Sequence, residues 1–350
     1  MLNKFNFSEN VVIGDRTVGP GHASYMIAEI GPNHNGSLDE AERLIDAAKE
    51  VGCDAVKFQY HLAEAEIFDR TTRSYYYDES RYDFIRRVQE FPHADHKRLR
   101  ERVRDQGLGY LCSVFSEEAA ERVAELDPDG FKIPSGEVGN PWLLDNVGKS
   151  TKPVVVSSGM SPLSEIDAMM KTLGGVTDQV VLLHCLSEYP TALEDMNLNV
   201  IPNFAQRYGC PIGLSDHSRH FPEIAASVAL GSSMIEVHFT FDRKAAGPDH
   251  HVSVTPNEMK QLIISVRNIE NALGHSEKQL GKHVEDMRGS YTNSIVARQD
   301  IVPGEELSRS NLTLKKPGTG LGPSCLPELL GRQARNTIKA GTPLKQSDFV

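Results

Sequence analysis

The chain has 350 residues, 39% of them hydrophobic and 24% charged, which suits one large globular domain and a small one. Its formal net charge of −11 argues against nucleic acid as a partner. No run approaches the roughly 18 apolar residues of a membrane span, the first residues lack a signal core, and the five cysteines (Cys53, Cys112, Cys185, Cys210, Cys325) form no C-x-x-C, as expected of reduced thiols in a cytoplasm.

Residues 11–20 read as an edge strand with a turn at Gly14-Asp15. A short apolar strand follows at 26–30, and 31–36 is a loop of turn residues. Ser37 and Glu40 have the spacing of a capping box. Leu38, Ala41, Leu44, Ile45 and Ala48 then recur at helical spacing. A second strand is predicted at 55–58. The pattern continues with strands at 108–112, 131–133, 153–156, 180–183, 211–214 and 233–237. Helices are predicted between them, near 95–106, 116–125, 139–148, 161–173, 195–207 and 220–230, and a last one near 255–273. Short apolar strands alternating with helices indicate a parallel sheet buried on both faces. Eight such units point to an α/β fold of the (β/α)₈ barrel type; a doubly wound open sheet is the alternative. The stretch 62–90 is long and charged and includes Tyr75-Tyr76-Tyr77. It reads either as a cover for the active-site face or as a solvated insertion. A polar linker at 276–291 separates a barrel domain (1–275) from a small β-rich module (292–350).

In a barrel the chemistry lies at the strand C-termini. The predicted strands end on Glu29, on Lys57 and Gln59, on Cys112 and Ser113, on Lys132 and Ser135, on Ser157 and Ser158, on His184 and Cys185 with Ser187 and Tyr189 beyond, on Ser215 and His217, and on His238. A lone strand-end lysine is usually a surface charge. Two lysines with several hydroxyls on one face make an anion site of phosphate or carboxylate type. Two imidazoles on that face, His217 and His238, suggest a divalent metal; the alternative is two separate structural histidines.

The segments "IAEIGPNHNGSLDEAERLIDAAKEVGCDAVKFQ", "KIPSGE", "SSGM", "HCLSEYPT", "IGLSDHS" and "IEVHFTFD…GPDH" resemble the sialic acid synthase family, the phosphoenolpyruvate-dependent nonulosonic acid synthases. The tail, "SIVARQDIVPGEELSRSNLTLKKPGTGLGP", resembles that family's C-terminal antifreeze-like (SAF) domain. The resemblance implies condensation of phosphoenolpyruvate with N-acetylmannosamine or a related N-acylated hexosamine aldehyde, with release of phosphate by carbon–oxygen cleavage. It implies a divalent metal on His217 and His238, manganese in most members, with magnesium or cobalt as alternatives. It implies phosphoenolpyruvate binding by Lys57, Ser113, Lys132, Ser135, Ser157 and Ser215. Glu29, Gln59, Tyr189 and Asp249 match positions facing the sugar and the attacking water, Glu29 as general base. The resemblance further implies a homodimer in which the SAF domain covers the partner's barrel and Lys316 reaches its sugar.

Several residues depart from the family pattern. Ser113-Val114-Phe115-Ser116 stands where many members carry Thr-Pro-Phe-Asp. Leu186, Val237 and Lys316 replace a polar residue, a Lys and an Arg. Lys lacks the planar fork of Arg, so the identity of the sugar stays open: a diacetamido-trideoxy hexose, giving legionaminic or pseudaminic acid, is the second expectation. A metal-dependent aldolase and a non-catalytic binding protein are the readings from other classes.

Overall fold

The structure, a computed structural model, describes residues 5–74 and 78–350. The three tyrosines at 75–77 lie outside the described residues. Two compact units are present, Met1–Gly274 and His275–Val350.

The first unit is a closed barrel of eight parallel strands: β3 (Tyr25–Glu29), β4 (Ala55–Tyr60), β5 (Gly109–Val114), β6 (Gly130–Ile133), β7 (Val154–Ser157), β8 (Val180–Cys185), β9 (Ile212–Asp216) and β10 (Met234–His238), with β10 closing on β3. The eight-strand expectation therefore holds, and the open-sheet alternative does not. Before the barrel, β1 (Val11–Ile13) and β2 (Arg16–Val18) form an antiparallel hairpin around the turn expected at Gly14-Asp15. Val11, Ile13 and Val18 are fully buried against Tyr25, Ile27, Ala55, Leu111, Val155, Val181, Leu183 and Met234. The hairpin thus joins the lower layers of the barrel interior. Full burial of an aliphatic side chain contributes roughly 1.5–3 kcal/mol.

Alternation does the rest. Successive strand residues point to opposite faces, so Met26, Ala28, Val56, Phe58, Val156 and Val237 pack outward against the helices. The inward positions are apolar at the strand beginnings and polar at their ends. The helices are built as their sequence suggests. In the first, Leu38–Val51, the Ser37 hydroxyl accepts from the Glu40 amide and Gly52 closes the helix at φ 93°, a conformation glycine adopts at no steric cost. The last barrel helix, Pro256–Leu273, opens on a capping box of Thr255 and Glu258.

Three stretches differ from the sequence reading. Residues 62–90 contain short helical turns, Ala63–Glu66, Arg81–Phe84 and Ile85–Gln89, held partly by Glu66 and Glu90 accepting from the Leu62 and Ala63 amides. The helix expected near 195–207 is confined to Val200–Tyr208, because Asn197 adopts φ 44° just before it. The supposed linker at 276–291 contains a ten-residue helix, Lys282–Tyr291. It has no buried residue; its composition is too polar to announce a helix through an apolar face.

The second unit contains β11 (Ser294–Ala297) paired antiparallel with β12 (Leu312–Lys315) and further isolated bridges such as Ile301 with Ile338. Ile295, Ala297, Ile301, Leu307, Leu312, Leu329, Ile338, Leu344 and Phe349 form its own core, so it is the β-rich module expected. Among the described residues no helix is long and apolar enough to cross a membrane.

Candidate active site

Glu29, Lys57, Gln59, Ser113, Lys132, Ser135, Ser157, Tyr189, Ser215, His217 and His238 line one cavity at the strand C-termini. Register brings them there: Glu29 sits opposite Lys57 on one side and His238 on the other, and Ser113 lies opposite Lys132. Asp249 lies at the rim, its Oδ2 3.4 Å from His238 Nδ1. Lys316 belongs to the second unit, where its ammonium sits 5.9 Å from the Tyr291 ring centre. His184 and Ser158, the other polar strand-end residues, do structural work instead. His184 Nε2 is 2.7 Å from the Met196 carbonyl, and Ser158 donates to the Leu183 carbonyl.

The reading of strand ends missed Glu236. It lies two residues before His238 on β10, so the strand period puts both side chains on the inner face; that spacing was the available signal. Glu236 is the electrostatic centre of the cavity. Lys132 donates to its two oxygens at 3.0 and 3.2 Å, and Ser215 donates to Oε1 at 2.9 Å. Lys57 stands 3.8 Å from Oε1, 2.8 Å from Glu29 Oε2, and donates to Ser113 at 2.9 Å. All four charged side chains are at most 6% exposed.

Burial alone would raise the Glu236 carboxyl, but Lys132 and Lys57 outweigh it and hold the group at about 2. Glu29 moves the other way: burial, with Glu236 as a neighbouring negative charge, raises it above 4.5 despite Lys57. Asp249 is raised to about 7 by burial and by Glu29. One carboxylate is thus locked as an anion and two are poised to carry protons, the separation of roles that acid–base catalysis needs. The Ser157 hydroxyl, a potential donor and acceptor, is buried with no hydrogen-bond partner among the described residues.

The histidine pair bears on a metal. The ring centres of His217 and His238 are 5.3 Å apart. Burial lowers His217 to about 4 and His238 well below its ordinary value, so both rings are neutral near pH 7 and offer lone pairs. His217 Nδ1 is 2.6 Å from the Leu186 carbonyl; donation there leaves Nε2 as the free base. Buried His238 Nδ1 makes no hydrogen bond among the described residues, Asp249 Oδ2 standing 3.4 Å away. Tyr189 stacks on His217 at 4.0 Å and meets His238 edge-on. Two neutral imidazoles are donors of the type that first-row divalent cations take. No group of three His, Cys, Asp or Glu side chains placed to cage a metal exists among the described residues.

A supporting layer fixes Gln59. Its Nε2 donates to Glu29 Oε1 at 2.7 Å, and its Oε1 accepts from Gln89 at 3.1 Å. His61 Nε2 is 3.1 Å from the same oxygen, and its Nδ1 is 2.9 Å from Glu66 Oε2. The His61 ring also stacks on Phe115 at 3.9 Å, and Phe115 lines the cavity. We expect His61→Leu to lower kcat/KM roughly 10- to 100-fold, since misplacement by about 1 Å can cost that much, with His61→Asn recovering part of it. Steady-state kinetics beside a thermal melt check this. A Leu variant with ordinary kinetics would show that Gln59 is oriented without His61.

A model of the NeuB family matches residues 44–278, and one of the SAF domain matches 292–350. The chain is 33% identical over 348 residues to N,N'-diacetyllegionaminic acid synthase of Legionella pneumophila, covering 96% of this chain and 98% of that protein. It is 34% identical over 331 residues to human (Homo sapiens) N-acetylneuraminate-9-phosphate synthase, covering 93% and 92%. Among solved structures it resembles the N-acetylneuraminic acid synthetase of Leptospira borgpetersenii serovar Hardjo-bovis, crystallised with citrate (28% identity, TM-score 0.73, 80% of this chain and 95% of that one). It also resembles the spore coat polysaccharide biosynthesis protein SpsE of Bacillus subtilis (31% identity, TM-score 0.67, 97% and 99%).

Proposed function

The chain belongs to the NeuB family, whose named relatives make sialic, legionaminic and pseudaminic acids, and from that premise we propose that it condenses phosphoenolpyruvate with an N-acylated hexosamine aldehyde, N-acetylmannosamine or a close analogue, to give a nonulosonic acid and phosphate. The observation that carries this reading is that buried Lys57 and Lys132 share with the Ser157 hydroxyl, unpartnered among the described residues, the cavity that also holds His217 and His238.

Phosphoenolpyruvate brings a carboxylate and a phosphate close together. Lys57 and Lys132 offset those charges, and the hydroxyls of Ser113, Ser135, Ser157 and Ser215 donate to their oxygens. Glu236 helps hold the Lys57 ammonium up and opposes the burial that lowers Lys132, before the substrate arrives. Carbon 3 of phosphoenolpyruvate attacks the aldehyde carbon, and carbon 2 becomes an oxocarbenium-like centre. Water adds to carbon 2 while Glu29, raised and anchored by Gln59, takes a proton from it. The tetrahedral intermediate expels phosphate by carbon–oxygen cleavage. Asp249 stands at the rim to deliver a proton to the former aldehyde oxygen. A divalent cation, manganese in our reading, would be held by His217 and His238 and would supply Lewis acidity at that oxygen. We further assign Lys316 to the sugar bound in the partner's barrel of a homodimer; a monomeric, fully active enzyme in sedimentation and kinetics would remove that assignment.

A substrate panel tests the reaction: N-acetylmannosamine, its 6-phosphate and diacetamido-trideoxy hexoses, each with phosphoenolpyruvate and manganese. Stoichiometric loss of phosphoenolpyruvate and release of phosphate with at least one sugar is expected. Aldol product without phosphate release would identify a simple aldolase instead.

A further inference from the structure

The loop that joins β10 to the last barrel helix, residues 239–255, carries Asp249. Among the described residues no hydrogen bond reaches the Asp249 carboxylate, whose Oδ2 stands 3.4 Å from His238 Nδ1. The place of that carboxylate is therefore set by its backbone. The two ends of the loop run together. The Val254 amide donates to the His238 carbonyl at 2.7 Å, and the Thr240 amide donates to the Val254 carbonyl at 3.0 Å.

A side chain from outside the loop stitches it shut. Asn33 lies in the turn that follows β3. Its Nδ2 donates to the Phe239 carbonyl at 2.9 Å and to the Ser253 hydroxyl at 2.8 Å. The Ser253 hydroxyl donates in turn to the Asp249 carbonyl at 2.6 Å. An unbroken path of two hydrogen bonds thus runs from Asn33 to the backbone of Asp249. Asn33 is 2% exposed and Ser253 fully buried, so water does not compete for these bonds. The position calls for a primary amide, which carries two N–H donors on one short side chain. The isosteric Asp, when ionised, offers only acceptors and would set them against the Phe239 carbonyl. Asn33 Oδ1 is buried with no hydrogen-bond partner among the described residues. That orphaned acceptor is a cost, so the two donors are what the amide contributes here.

The same turn fixes the residue after Asp249. Asn35 Nδ2 is 3.1 Å from His250 Nε2, and His250 Nδ1 is 2.7 Å from Thr240 Oγ1. Asn35 can only donate through that nitrogen, so Nε2 accepts and Nδ1 carries the proton toward Thr240. Gly247 closes the packing, since a Cβ there would lie 2.7 Å from the His250 ring.

We propose that Asn33 is a positioning residue of the condensation: through Ser253 it fixes the backbone at Asp249, and its effect on turnover passes through the Asp249 carboxylate. The inference rests on the proton-delivering role given to Asp249 above. Asn33 does not line the reaction cavity, and no bond is made or broken at it.

Kinetics and hydrogen exchange on the full chain test this. Asn33→Leu keeps the branched shape and removes both donors. It should lower kcat about 10- to 100-fold, the size expected when a reacting group shifts by about 1 Å. The KM for phosphoenolpyruvate should stay within about twofold, because Lys57 and Lys132 stand on other strands. Ser253→Ala removes one bond of the path and should lower kcat about 3- to 10-fold; it carries the test if Asn33→Leu melts too early to assay. The deciding measurement is a double-mutant cycle with Asp249→Asn. In that background either change should cost less than about twofold, since the group it places is gone. Equal losses in both backgrounds overturn the proposal, as does wild-type kcat in both single variants or a loss confined to the KM for phosphoenolpyruvate. Exchange of the amides at 249–254 gives a readout without substrate. Asn33→Leu should speed it about tenfold or more while β4, β5 and β6 keep their protection; unchanged exchange overturns the proposal. If no sugar supports phosphoenolpyruvate consumption, the condensation reading fails, and exchange still decides whether Asn33 holds this loop.

Discussion

Lys132→Met should lower turnover roughly 10²–10³-fold and also weaken the barrel. Lys132 meets both oxygens of Glu236 inside the barrel, where the two side chains are 3% and 6% exposed. Removing the ammonium leaves a buried carboxylate with Ser215 at 2.9 Å and Lys57 at 3.8 Å. Breaking such a pair on one side typically costs about 3–5 kcal/mol. The double variant Lys132→Met/Glu236→Gln removes both charges and should regain most of that stability. It should not regain activity, because the phosphate and carboxylate of phosphoenolpyruvate still lack their donor; losing one such group costs roughly 10²–10³ in rate. Urea unfolding and phosphoenolpyruvate kinetics on the same three proteins separate the effects. A single variant as stable as wild type, or a double variant with restored turnover, would refute the assignment. There is an acid signature too. Glu236 sits at about 2 against an ordinary 4.5, so its contribution is fully present above about pH 4.5 and is lost as pH falls toward 2. Variants carrying Glu236→Gln lack that limb of the stability curve.

The barrel was legible because period and punctuation agree. Eight short apolar strands alternate with helices whose caps, such as Ser37 and Thr255, are written in the sequence. The polar ring was legible because strand ends share one face, so Lys57, Lys132, His217 and His238 needed no further information to be grouped. What escaped depends on side-chain direction within the last turn of each strand. His184 and Cys185 are neighbours at the end of β8, yet His184 turns outward to the Met196 carbonyl and Cys185 turns inward to the cavity. Glu236 was hidden inside an apolar-looking strand, although its two-residue offset from His238 fixes its face. The pairing of Glu258 with Arg243 and the left-handed turn at Arg219 are set by loops, whose paths no period encodes. The Lys282–Tyr291 helix was missed for the opposite reason: it is a regular element with no buried stripe to betray it.

His217→Ala and His238→Ala should each remove metal binding and lower turnover by three orders of magnitude or more. The argument starts from burial. Both rings sit below 10% exposure, and burial disfavours their protonated forms. Each ring therefore presents a lone pair at neutral pH without first losing a proton, which is the condition for binding a cation there. Orientation follows from neighbours: the Leu186 carbonyl fixes the His217 tautomer, and the Tyr189 ring packs against both imidazoles. With only two protein nitrogens in the set, deleting one halves the anchorage, and the loss should be close to complete rather than graded. Manganese binding by calorimetry on chelator-treated protein gives a readout independent of turnover: wild type should bind about one ion per chain, and either variant none. Turnover of treated wild type should return on adding manganese, whereas the variants should stay inactive with unchanged phosphoenolpyruvate binding. Treated variants that turn over as fast as wild type, or bind manganese as tightly, would leave His217 and His238 as structural rings and require the carbonyl to be activated by Lys57, Asp249 or another donor of the cavity.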